Sequence, residues 1–321
     1  MFAAACHSAD GMNHDAPGSV DTLEVSRPRA PAAPHTTETC AKVMREAELT
    51  GGTNGHVDGS WTQLKRAIAQ FWDRWPCGAH ELVSSETTAR GYFEAIARLR
   101  YGRGDHVIDL FDLRAWEGKR VLEVGCGIGT DLCQFALSAA QVAGIDVSPE
   151  STKLARRALD ARGLAGWVMV ADGENLPFAD RSFDLVYTWG VVHHCVSPAQ
   201  VVAEIFRVLK PGGELITMVY NRHSVLALQV WIRYGLLRGR PFASIRSLMA
   251  RHLESPGTRA YTRAEAAELF STFDRVSIES VVTRYDIRLG RRVFLPRWLR
   301  RAVPRKYGWF IVLRGTRRER A

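Results

Sequence analysis

No stretch of this sequence is apolar for long enough to cross a bilayer. The most apolar run, Val225 to Ile232, falls far short of the ~20 residues a membrane helix needs. The opening MFAAACHSADG lacks the basic start and apolar centre of a leader peptide, which sets a cytoplasmic expectation. The six cysteines (Cys6, Cys40, Cys77, Cys126, Cys133, Cys195) show no CxxC or other ligand spacing. That argues against a zinc centre and a disulfide framework alike, and no metal is expected. No internal repeat is present, which excludes solenoids and propellers. Acid is scarce in the C-terminal third. Residues 222–260 hold seven Arg against one Glu, and residues 284–321 hold twelve Arg and one Lys against two acids. The formal charge of +9 therefore belongs to that third, and only there is an anionic partner invited.

What is present is ordinary globular material, 46% hydrophobic and 24% charged. Residues 1–58, rich in Ala, Pro, Gly, Thr and His without apolar periodicity, read as a disordered tail. Residues 59–118 read as an N-terminal helical lid. Ser60-Trp61-Thr62-Gln63 has the spacing of a capping box, a second helix runs from about Glu86 to Arg100, and a short third covers Val107 to Leu113. From residue 119 to 316 strands alternate with helices. Strands are expected at Val121–Val124, Val142–Asp146, Trp167–Ala171, Phe183–Trp189, Glu214–Val219, Arg275–Thr283 and Trp309–Arg314. Ser197-Pro198 is expected to cap the helix before Lys210-Pro-Gly-Gly213, and Thr262-Arg-Ala-Glu265 is a second capping box. The alternation predicts an α/β, Rossmann-like, seven-stranded doubly wound sheet closed by a strand hairpin. Two basic segments interrupt it, a helical insertion at 221–261 and a stretch at 284–306, and residues 317–321 form a short tail.

In such a sheet ligands bind beyond the carboxyl ends of the strands. Here the first strand runs into Glu123-Val-Gly125-Cys126-Gly127-Ile-Gly129, where glycine lets the backbone approach a ligand. The spacing is G-x-G-x-G, with Thr130 where a dinucleotide fingerprint has its last glycine. Three acids surround this loop. Asp146 ends the second strand, placed for ribose hydroxyls; Asp172 ends the third, placed for an adenine amino group; Glu123 lies beneath the loop. Acids suit S-adenosylmethionine (SAM), which carries a sulfonium and an ammonium and no phosphate.

The run VLEVGCGIGTDL resembles motif I of class I SAM-dependent methyltransferases. GIDVSPE, ADGENLPFADRSFDLVYTWGVVHH and RVLKPGGELITMVY resemble the motifs that follow it, in order and spacing. The likeness covers residues 119–220 and is strongest to the ubiquinone/menaquinone-type C-methyltransferase branch. It implies SAM as cofactor and S-adenosylhomocysteine as product. It also implies that Glu123, Gly125, Cys126, Gly127 and Gly129 lie at the methionine end, Asp146 and Val147 at the ribose and adenine edge, and Asp172 and Gly173 at the adenine.

Methyl transfer to O, N or C needs alignment first, and a base only where the acceptor must lose a proton. His193 and His194, just past the fourth strand, are the candidate bases, against a loop-packing role. Trp189 is a candidate cofactor wall, and Tyr187 core. Tyr92 and Tyr101 are candidate cofactor or acceptor contacts, and Trp72 and Trp75 read as anchors of the lid. The arginine-rich segments, threaded with apolar residues, suit a lipophilic acceptor or the edge of an anionic membrane. The expected activity is methylation of a small-molecule acceptor. An RNA methyltransferase is the alternative, disfavoured because Thr188-Trp-Gly-Val stands where amino-methylating nucleic-acid enzymes carry N/D-P-P-Y/F. A non-catalytic SAM-binding or membrane-surface protein is the third reading. Oligomeric state is not legible.

Overall fold

The computed structural model describes residues 59–79, 88–102, 112–138, 140–287, 300 and 302–318. The expected tail, all but the last two residues of the helix expected at Val107 to Leu113, and most of the basic stretch at 284–306 lie outside these residues. So does the side-chain part of the Ser60 capping box. Leu113 itself opens a short 3-10 turn, Leu113–Trp116. Seven strands form one sheet: β1 (Arg120–Val124), β2 (Gln141–Asp146), β3 (Trp167–Val170), β4 (Phe183–Trp189), β5 (Leu209–Tyr220), β6 (Asp274–Val281) and β7 (Phe310–Thr316). Their order is β3-β2-β1-β4-β5-β7-β6. The first five pair in parallel, while β7 runs antiparallel to both β5 and β6. The order reverses at β1/β4, so the loops after β1 and β4 flank the switch point.

The helices are α1 (Gly59–Arg74), α2 (Ala89–Gly102), α3 (Thr130–Leu137), α4 (Pro149–Asp160), α5 (Pro198–Val208), α6 (Val225–Tyr234), α7 (Ile245–His252) and α8 (Arg263–Leu269). Helix α4 starts on Ser148, whose hydroxyl accepts from Ser151 N, with Pro149 at its first position. The Thr262–Glu265 capping box forms in both directions. Two local expectations change. Ser197 makes no side-chain cap bond; Glu174 Oε1 instead accepts from Val196 N and Ser197 N, a role no local pattern announces. And Lys210–Gly213 does not separate α5 from a later strand. The strand begins at Leu209 and absorbs these residues as a bulge, with the register passing from Phe183↔Leu209 to Leu185↔Glu214.

Apolar side chains fill both faces of the sheet. On one, Leu122, Val124 and Val186 meet α5 through Val201, Val202 and Ile205. On the other, Val121, Leu185 and Tyr187 meet α3 and α4. A third cluster joins the carboxyl end of β5 (Met218, Tyr220) and Trp309–Phe310 to α6 and α7 through Leu226, Val230, Leu248 and Met249. The insertion thus folds back over the end of the sheet where ligands bind.

Candidate functional site

The loop between β1 and α3 is held by its glycines, each for a different reason. Gly125, Gly127 and Gly129 all have positive φ. A Cβ on Gly125 would lie 2.2 Å from Val191 Cγ2, and one on Gly129 would lie 3.0 Å from Ala155. One on Gly127 would meet no protein atom within 4 Å. The first and last glycines serve packing, and the middle one borders an open cradle. The side chain of Cys126 points into the core towards Gly144, so only its backbone borders the cradle.

Electrostatics mark this cradle for a cation. Glu123 is buried, and its Oε2 has no hydrogen-bond partner. Burial pushes its carboxyl well above the usual range and Asp131 adds to this, while Arg100 opposes and Asp146 reinforces the rise. Asp131, in the first turn of α3, is also buried. Arg100 of α2 holds it with two bonds, Nε–Oδ1 at 2.8 Å and Nη2–Oδ2 at 2.5 Å. Tyr101 donates to Oδ1 at 2.6 Å and Tyr187 to Oδ2 at 2.8 Å. Burial alone would raise the Asp131 carboxyl, but the guanidinium and the two hydroxyls more than offset it and hold it below the ordinary value. The Arg100 guanidinium is taken by Asp131, and among the described residues no salt bridge engages Glu123 or Asp146, so a bound cation would favour the ionised form of Glu123. The unpartnered Glu123 oxygen and the open face of Gly127 fit a ligand with a positive charge and a slim chain. A pyrophosphate would be repelled.

The acids expected at an adenosine are engaged by the protein itself. Asp146 accepts from Gly127 N and Ser148 N, both at 2.9 Å, so this carboxylate braces the glycine loop and still offers lone pairs outward. Val147 is half-buried beside it. Gly173 packs tightly, since a Cβ there would reach Val124 at 3.2 Å. Asp172 is not free: Lys65 of α1 reaches it at 2.6 Å and Glu174 at 2.8 Å. Asp73, also on α1, accepts from Ser148 Oγ and Glu150 N. Helix α1 is thereby pinned at two points, beyond β3 and at the start of α4.

The remaining candidates divide. Tyr101 bonds to Asp131, whereas the Tyr92 hydroxyl donates to Ala79 O and ties α2 to the segment after α1. Trp189 stacks on Tyr187 at 6.0 Å and meets Phe310 edge-on. His194 has Nδ1 2.8 Å from Ser255 Oγ and 3.0 Å from Thr258 Oγ1, Nε2 3.3 Å from Glu254, and Trp72 edge-on at 5.0 Å. It joins three elements and is a latch between them. His193 is different. It is completely buried, its ring lies 3.8 Å from that of Tyr220, and neither ring nitrogen has a bonded partner. The Met218 backbone lies nearby without meeting hydrogen-bond geometry. Burial, with His194 alongside, pushes the imidazole well below its ordinary pKa, so it is neutral at neutral pH. Tyr220, stacked on Trp309 at 4.1 Å, donates to Glu254 at 2.8 Å. Arg100, Lys65, Asp131 and Glu254 are not among the residues the sequence nominates. Only Asp131 carried a signal, as the acid directly after the glycine loop. Among the described residues no group of His, Cys, Asp or Glu has the arrangement of a metal site.

Residues 122–217 match a family model described as a methyltransferase domain. Norajmaline N-methyltransferase of Rauvolfia serpentina is 28% identical over 51% of this chain and 61% of its own length. Methyltransferase GfsG of Streptomyces halstedii is 39% identical over 47% of this chain and 57% of its own. Sterol 24-C-methyltransferase of Pneumocystis carinii is 35% identical over 30% and 26% respectively. The chain spans less than two thirds of the length of each. Over residues 122–217 the chain is similar to a methyltransferase domain, and that similarity supports SAM as the ligand of the cradle.

Two consequences of this geometry are measurable. Gly125→Ala should lower the melting temperature, since it adds a clash with Val191 to the ~1–2 kcal/mol cost of a left-handed alanine. Gly127→Ala pays only the backbone cost and should stay folded, yet lose SAM affinity in calorimetry, because its methyl enters the cradle. Equal affinity in the Gly127 variant would place the ligand elsewhere. The second concerns pH. A cation beside Glu123 favours the ionised carboxyl, whereas the free site favours the proton. SAM binding should therefore release a proton, and affinity should fall as pH drops through the raised pKa of Glu123. Titration calorimetry in buffers of different ionisation enthalpy reads the proton directly, and Glu123→Gln should abolish the release.

Proposed function

We propose that the chain is a SAM-dependent methyltransferase that acts on a small lipophilic acceptor, with His193 as the proton acceptor. The observation that carries this reading is the fully buried His193, both nitrogens unpartnered, at the carboxyl ends of β4 and β5. Leaving a buried polar group unsatisfied costs about 1–3 kcal/mol, a cost a folded protein bears where the group has other work. Glu123, Asp146 and the backbone at Gly127 would hold SAM, which supplies a methyl already activated on sulfur. What remains for the protein is to orient the acceptor, exclude water and take a proton from the attacking O, N or acidic C–H. Trp189, Tyr220, Trp309 and Phe310 form an aromatic wall beside His193, suited to a flat or apolar acceptor. The neutral imidazole is in the form a base requires. His194 and Glu254 hold the 253–260 segment against this wall. The names of the norajmaline and sterol enzymes are consistent with such an acceptor class, and the motif likeness to the ubiquinone/menaquinone branch keeps C-methylation among the outcomes. The test is release of S-adenosylhomocysteine across a panel of hydrophobic phenols, amines and enolisable carbonyls. Saturable turnover of one class is expected. SAM binding with turnover only of hydrophilic acceptors would overturn the acceptor assignment.

A further inference from the structure

The insertion between β5 and α8 has one face with a clear partner and one with none. Helix α6 buries Leu226, Ala227 and Val230 against the aromatic wall and α7. Leu228 and Ile232, on its other side, are 51% and 38% exposed. The chain then runs through seven consecutive exposed residues, Leu236-Leu-Arg-Gly-Arg-Pro-Phe242. In this run Leu237 is 73% and Phe242 99% exposed. Single exposed apolar residues need no explanation, but five within residues 228–242 mark an interaction surface.

Its charge selects the partner. From Arg222 to Leu253 there is no Asp or Glu. Arg222 and Arg246 are taken up by Glu265 of α8. Arg233, Arg238, Arg240 and Arg251 are exposed around the apolar tip, and among the described residues no salt bridge engages Arg238, Arg240 or Arg251. A second copy of the same patch would oppose arginine to arginine. A surface that is both anionic and apolar beneath its charges satisfies both features, and a bilayer with acidic headgroups is such a surface.

We propose that residues 228–242 dock the protein on an anionic lipid surface, Leu237 and Phe242 entering the acyl boundary while Arg233, Arg238 and Arg240 lie among the headgroups. Because α6 also backs the aromatic wall, docking brings the acceptor side to the membrane, where a lipophilic acceptor is concentrated. The proposal concerns this surface alone: a chain that methylates its acceptor but ignores vesicles sinks it without touching the reading above.

The experiment uses the full chain and vesicle co-sedimentation. Vesicles of phosphatidylcholine with 30–40% phosphatidylglycerol (roughly the charge density that draws polybasic segments) should retain the protein, and phosphatidylcholine alone should not. Leu237→Ser with Phe242→Ser should weaken retention at least about tenfold, following the apolar area removed. Arg238→Gln with Arg240→Gln should weaken it about fivefold per arginine and flatten its salt dependence. Both pairs are solvent-exposed, so SAM affinity and melting temperature should stay at their parent values. No retention on acidic vesicles, or retention indifferent to the serine pair, overturns the proposal. So does salt-steep binding to mixed tRNA that outcompetes the vesicles, which would assign these arginines to phosphate backbones.

Discussion

His193→Gln should reduce kcat by about 10²–10⁴-fold, the range spanned by loss of a positioned general base. Glutamine keeps much of the imidazole's bulk and polarity but has no basic nitrogen, so packing against Tyr220 changes little. SAM affinity should stay within about twofold, because the ring packs against His194 and Tyr220. The pH profile provides the sharper readout. A base whose pKa is pushed below its ordinary value stays unprotonated across the neutral range. The activity should therefore be flat around neutrality and fall only as pH drops well below the usual histidine value of ~6.5. His194→Gln should act differently. Its ring bonds to Ser255 and Thr258, so the variant should loosen the 253–260 segment, raising KM and lowering melting temperature more than kcat. A His193 variant with parental kcat, or an acid limb that moves with His194 instead, would reverse the assignment.

Arg100→Met should cost about 3 kcal/mol of stability, at the low end for breaking a buried pair because roughly 30% of the arginine side chain still meets solvent. Its removal leaves Asp131 buried with two tyrosine hydroxyls and no countercharge. The Asp131 carboxyl should then rise and compete with Glu123 for the one remaining role in the pocket, so SAM affinity should fall as well. The pH sign follows from the depressed carboxyl of Asp131. The stabilisation it contributes is fully present above its unfolded value of ~3.9 and is lost as pH falls through the lower folded value. The Met variant should therefore unfold at higher pH than the parent on acid titration, read by near-UV circular dichroism. Asp131→Asn alone, keeping Arg100, tests the reverse arrangement and should also destabilise. Unchanged acid unfolding in both variants would mean the pair is not the support it is drawn as.

The parts of this protein that can be read from its sequence are local. Gly125, Gly127 and Gly129 lie within five residues of one another, and their spacing is visible in the sequence itself. Strand and helix periodicity from Arg120 to Tyr220 involves spans of four to twelve residues, and the sheet order follows from short right-handed crossovers. The acids at strand ends were legible for the same reason: Glu123, Asp146 and Asp172 each sit a fixed step from a hydrophobic run. What those acids touch was not. Lys65 meets Asp172 across 107 residues, Arg100 meets Asp131 across 31, and Glu254 meets Tyr220 across 34. No periodicity or cap announces such a pair, because its members approach only after the sheet, the N-terminal helices and the insertion have packed. The two histidines make the same point at a single position. Adjacent and chemically identical in the sequence, they are separated in role by the tertiary structure. One ring was turned to the hydroxyls and carboxylate of a segment 60 residues away, the other against the ring of Tyr220, where nothing bonds it. Likewise the arginines of the insertion were visible as charge, but whether Leu237 and Phe242 among them were core or surface depended on how the segment after α6 packed. Sequence fixes the backbone geometry around a ligand because that is a matter of neighbouring torsions. The protonation state, partner and exposure of each side chain are matters of what distant segments bring, and only the packed fold decides them.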